Sequence, residues 1–149
     1  MENKLATQRK QLEELKQKFI DETVADGIPY TQQQVEVLIT KIPIAIFNQG
    51  TALTQAMVDY KEAKRNLKKI YNMKLIEANY DEDLKSAGER KAWAENHKET
   101  QEAEEDLIIA EGNYKAAELH YKAYENLFTA VKKMATLIED QNKAASRGY

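Results

Sequence analysis

The chain has 149 residues, 42% hydrophobic and 32% charged, with five glycines, two prolines and no cysteine. That is the size of one domain, too apolar for a disordered tail and too poor in turn formers for a β-sandwich or barrel. Without cysteine there is no disulfide framework, thiol nucleophile or thiolate metal site, and a formal charge of −3 gives no overall attraction to nucleic acid.

No apolar run approaches ~20 residues, and no apolar core follows Met1-Glu2-Asn3-Lys4. A cytoplasmic protein without a membrane span is therefore expected. The fold class expected is all-α, a single helical domain over 1–149. Its first element is an amphipathic helix over 1–25, in which Leu5, Leu12, Leu15 and Phe19 recur at helical spacing. Asp26, Gly27 and Pro29 stop it.

Thr31 and Gln34 have the spacing of a capping box and open a short segment over 31–42. Val35, Val37, Ile39, Ile42, Ile44 and Ile46 also suit a strand, but Pro43 interrupts them and no partner strand exists. A helix is favoured here, with Pro43 starting the next one. That next helix, over 44–80, carries Leu53, Ala56, Tyr60, Ala63, Leu67 and Ile70 at alternating three- and four-residue steps. This is a coiled-coil seam with Gly50 as its weak point. An acidic connection follows, with Ser86 a candidate cap.

The strongest pattern lies over 89–142. Ala103, Leu107, Ala110, Tyr114, Ala117, Tyr121, Tyr124, Phe128, Val131, Ala135 and Ile138 alternate steps of four and three throughout. Such a helix is roughly 80 Å long, and residues 144–149 are expected to fray. The two long helices are expected to pair as an antiparallel hairpin with the N-terminal helix packed on it. Adjacent Leu107, Ile108 and Ile109 widen the apolar stripe beyond one neighbour. A homo-oligomer is therefore expected through Leu107, Tyr114, Tyr121, Tyr124, Phe128, Val131 and Ile138, the alternative being a self-contained bundle.

Charge is segregated. Lys61, Lys64, Arg65, Lys68, Lys69 and Lys74 stand against Glu62 alone, a local balance of +5. At ~100° per residue, Lys61, Lys64, Arg65 and Lys68 share an arc opposite Ala63, Leu67 and Ile70. A stripe of this kind neutralises phosphates and releases counterions, and Tyr60 and Tyr71 beside it are candidates to stack on bases. The competing reading is intramolecular. Residues 81–106 hold ten acids and four bases, and an antiparallel hairpin can lay them against the cations.

Other sites are sparse. Trp93 beside Arg90 and Lys91 is either a stacking platform or a plug at the hairpin end. His97 and His120 lack metal-ligand spacing, and no phosphate loop or nucleophile motif occurs, so no catalytic residue, metal or cofactor is expected.

The central Glu62-Ala63-Lys64-Arg65-Asn66-Leu67-Lys68-Lys69, the acidic connection, and Glu89-Arg90-Lys91-Ala92-Trp93-Ala94-Glu95 follow one another in a familiar order. A final helix then runs through Phe128-Thr129-Ala130-Val131-Lys132-Lys133-Met134. This layout, over about 51–140, resembles the UvsY-type recombination mediators of tailed phages. The resemblance implies a ring-forming helical oligomer that binds single-stranded DNA in the host cytoplasm. It also implies partners, a RecA-like recombinase and the single-strand-binding protein that coats the DNA. The family's DNA-contacting bases fall nearest Lys68 and Lys69, although its spaced Lys-x-Arg pair is not reproduced, since Ile70 follows Lys69. The nucleic-acid-binding set expected is Lys61, Lys64, Arg65, Lys68, Lys69 and Tyr71. The alternative is a non-enzymatic interaction protein, an inhibitor or adaptor acting through its helical or acidic surface.

Overall fold

The computed structural model describes residues 31–148 together with Ala6, Thr7, Lys10, Glu13 and Glu14. The expected N-terminal helix, with Leu5, Leu12, Leu15 and Phe19, and its stop at residues 26–29 lie outside the described residues, apart from those five positions. Three elements follow in order: α1 (Gln32–Asn79), α2 (Ala87–Asn96) and α3 (Lys98–Arg147). The described residues contain no strand, so the fold is all-α.

Local chemistry sets most helix ends. The Thr31 amide donates to Gln34 Oε1 at 3.0 Å and the Gln34 amide to Thr31 Oγ1 at 3.3 Å, which completes the capping box that opens α1. Ser86 and Glu89 form a second box at the start of α2. The helix expected over 89–142 is interrupted at His97, whose backbone is extended. There the His97 Nδ1 accepts the Glu99 amide at 3.2 Å, while Gln101 Nε2 donates to the Glu95 carbonyl at 2.8 Å. One residue thus ends α2 and caps α3. The C-terminal helix also continues to Arg147 rather than fraying at 144.

The break expected at Pro43 is absent, because α1 runs through it. Proline in a helix interior costs about 3 kcal/mol. Pro43 sits on the exposed side, while Ile42 before it is 1% exposed and Ala45 and Ile46 after it pack on the same core. Burial on both sides of the proline holds the helical path.

The described residues divide into two compact units, residues 31–52 with 119–148, and residues 53–118. In the first, α1 and α3 run antiparallel: Asn142 Nδ2 near the end of α3 donates to Gln32 Oε1 at the start of α1, 3.3 Å away. Their shared core is Val35, Ile42, Tyr124, Leu127, Val131 and Ile138. In the second unit Tyr60 pairs with Tyr114 and Lys74 with Glu99, so the helices again run in opposite directions. Its buried residues are Ala78, Ala94, Ala103, Thr100 and Lys74.

The α3 seam is therefore occupied within one chain. Tyr124, Val131 and Ile138 are 3%, 0% and 8% exposed, Phe128 packs beside them, and Tyr114 is covered by Tyr60. Leu107 and Tyr121 are half-buried. Within the single chain, Tyr124, Val131 and Ile138 are buried in the core that α1 and α3 share.

Candidate nucleic-acid interface

Five of the six cations in the basic segment, Lys61, Lys64, Arg65, Lys68 and Lys69, are exposed on α1. Among the described residues none of the five forms an ion pair. Their arc is set by the inner face of the same helix, where Tyr60, Ala63, Leu67 and Ile70 turn inward. The sixth, Lys74, is different. It is 7% exposed, and its Nζ lies 3.1 Å from Glu77 and 3.3 Å from Glu99 Oε1. The hydrogen bond to Glu77, followed by that to Glu99, holds this ammonium above its ordinary pKa against the opposing effect of desolvation. Lys74 is a structural tie rather than part of the stripe.

That tie is also where the acidic segment meets the basic one. Glu99 reaches a base of α1, whereas Glu104, Glu105 and Asp106 stay exposed and form no ion pair among the described residues. Lys98–Glu102 at 3.8 Å and Lys115–Glu111 at 3.1 Å are one-turn pairs within α3. Among the described residues, neutralisation across the hairpin, the competing reading of the charge pattern, holds at one contact and leaves the stripe unpaired.

The aromatic side chains contribute less than expected. Tyr60 stacks on Tyr114 with ring centroids 5.7 Å apart and planes 3° apart, and Lys64 Nζ lies 5.3 Å from its ring centre. Its ring is engaged, so it offers no free platform for a base. Tyr71 is half-buried at the edge of the stripe. The Tyr114 hydroxyl is pushed above its ordinary pKa, first by its hydrogen bond to Glu118. Trp93 is half-buried and leans on His97 at 5.1 Å and 58°, while Arg90 Nε donates to the Leu84 carbonyl at 3.1 Å. Arg90 thus serves the turn into α2, and Trp93 the junction between α2 and α3.

No family model, curated protein or solved structure matches the chain. Among the described residues no three His, Asp or Glu side chains gather as a metal site, and no helix is long and apolar enough to cross a membrane.

One surface was not anticipated. Val37, Ile44 and Phe47 on the outer side of α1 are 46%, 60% and 75% exposed. With Thr40 and Thr51 they form a second series of three- and four-residue steps, facing away from the core. The spacing is present in the sequence. It is hidden when Pro43 is taken to separate Val37 from Ile44, because the series then belongs to two helices.

Proposed function

We propose that this chain binds single-stranded DNA along residues 61–69 of α1. In this reading it acts as a homo-oligomeric recombination mediator that helps load a RecA-like recombinase onto strands coated by single-strand-binding protein. The observation that carries the proposal is the set of five exposed cations on one helix face, with no carboxylate partner among the described residues. Each cation that neutralises a phosphate of a single strand contributes about −0.7 to the slope of log affinity against log salt. Lys61 to Lys68 spans only ~10 Å, so one copy grips a strand weakly. Several copies acting on one strand convert weak contacts into avidity.

The test is fluorescence anisotropy with labelled poly-dT at two salt concentrations, with oligomer mass recorded in parallel. Binding is expected to be steeply salt-dependent and to disappear in the Lys64→Glu/Lys68→Glu double variant, while helicity and mass are unchanged. Binding that survives the double variant removes the stripe from the function. Absence of binding by the native chain at low salt favours the second reading, a protein-interaction role for the exposed Glu104, Glu105 and Asp106.

A further inference from the structure

We propose that Met73, Ile76 and Tyr80, at the C-terminal end of α1, form a platform that receives unpaired bases of the strand whose phosphates lie on residues 61–69. The proposal rests on the nucleic-acid function above and adds the part of the ligand that the cations do not touch. Met73, Ile76 and Tyr80 are 49%, 57% and 84% exposed. At ~100° per residue, helical positions eleven apart fall within ~20° of each other. Ile76 therefore lies in line with Arg65, and Tyr80 with Lys69. Met73 stands one turn beyond Lys69, while Lys74 and Ala78 on the other side of the helix are buried. Tyr80 follows the last helical residue, but its amide donates to the Glu77 carbonyl at 3.1 Å, so its backbone continues the turn.

The occupant is selected by charge and by what the ring is free to meet. Tyr60 is stacked on Tyr114 and Trp93 leans on His97, whereas the Tyr80 ring has no aromatic or cationic partner among the described residues. Along the same line the charge changes sign. The cations without an ion pair among the described residues end at Lys69, Glu77 is held by Lys74, and Asp81, Glu82 and Asp83 come directly after Tyr80. A phosphate is thus attracted as far as Lys69 and repelled beyond Tyr80. What remains of a nucleotide to cover Met73, Ile76 and Tyr80 is its base, which is uncharged and has a face that stacks on an aromatic ring. Lys69 to Tyr80 is only ~16 Å along the helix, so a strand gripped at the cations passes over the platform as it runs on along the same line. In a duplex the base faces are covered by their neighbours, so the platform favours an unpaired strand.

The experiment compares poly-dT with an abasic strand of the same length, which keeps the phosphates and lacks the bases, by anisotropy at two salt concentrations. The native chain is expected to bind poly-dT about 10-fold more tightly than the abasic strand. In Ile76→Ala/Tyr80→Ala that advantage is expected to vanish. Affinity for the abasic strand and the salt slope are expected to stay unchanged, because no phosphate contact is lost. Tyr80→Phe keeps the ring and is expected to bind as the native chain does. Both side chains are exposed, so folding is not at stake, and circular dichroism checks it. Equal binding of the two strands by the native chain overturns the platform and leaves the nucleic-acid function in place. An undiminished preference for poly-dT in the double variant does the same. A lower oligomer mass in the double variant assigns the face to a protein contact and also overturns it. If the native chain binds neither strand, the platform and the nucleic-acid function fall together.

Discussion

The two units of this chain use the same 3–4 spacing to opposite effect. In the first, α1 and α3 bury large side chains, with Ile42 and Val131 almost fully enclosed. In the second, the residues removed from water are alanines, a threonine and a lysine, and the cross-helix contacts are a tyrosine stack and an ion pair. Stability in the first unit rests on apolar burial, at about 1.5–3 kcal/mol for each large side chain. The second relies on close approach at alanine and on satisfied polar groups, which are worth less each. The outer surfaces do not follow that contrast: Ile44 and Phe47 are exposed in the first unit, and Ile108 and Ile109 in the second, beside its cations. A periodic pattern therefore locates a face without saying how firmly it is held.

The largest effect that would test this contrast is a cavity in the first core. Ile42→Ala is expected to cost about 2–5 kcal/mol, read as a lower urea midpoint. A cost under 1 kcal/mol would mean that the apolar core is not what holds this unit. In the second unit Ala103, 2% exposed, leaves no room for a larger side chain. Ala103→Leu is expected to cost about 1–3 kcal/mol by overpacking and to raise amide exchange there first. Thr100 sharpens the comparison in the other direction, because its buried Oγ1 has no hydrogen-bond partner among the described residues. Thr100→Val keeps the shape and is expected to stabilise by about 1 kcal/mol; a loss of that size would show that the hydroxyl is satisfied after all.

Smaller still is the effect of Gly112→Ala in the middle of α3, where an added Cβ meets nothing within 4 Å. A gain of about 0.5–1 kcal/mol is expected. At Gly50 a Cβ would lie 3.6 Å from Tyr121, ordinary contact, and a similar gain should follow.

The pH response has a source in each unit. The pKa of Lys74 is raised above 10.5, chiefly by the hydrogen bond to Glu77; those of Tyr114 and Tyr124 are raised above 10.0, by the hydrogen bond to Glu118 and by burial respectively. A group whose folded pKa is raised contributes stability that is complete below its unfolded value and lost as pH climbs through the folded one. The urea midpoint should therefore fall above about pH 10, and a midpoint that rises there would contradict the assignment.

Much of the candidate site was legible in advance. The cations at 61–69 fall on the exposed arc that helical periodicity assigns them, and the inner positions Ala63, Leu67 and Ile70 turn towards the core side. Lys74 was not separable from them, because its partner Glu99 comes from another helix 25 residues away in sequence. Tyr60 looked available for stacking because the sequence does not show which aromatic ring lies opposite it.

The sequence by itself determined the all-α class, the box at Thr31, the cap at Ser86 and the seam of α3, since each depends on residues within about two turns of one another. Only the tertiary structure decided that α1 passes through Pro43, that Lys74 is tied to Glu99, and that α1 has a second apolar face left over. These outcomes depend on which long-range partner buries a given face first. A local hydrogen-bonding preference of a few kcal/mol yields when burial on both sides of it is worth more.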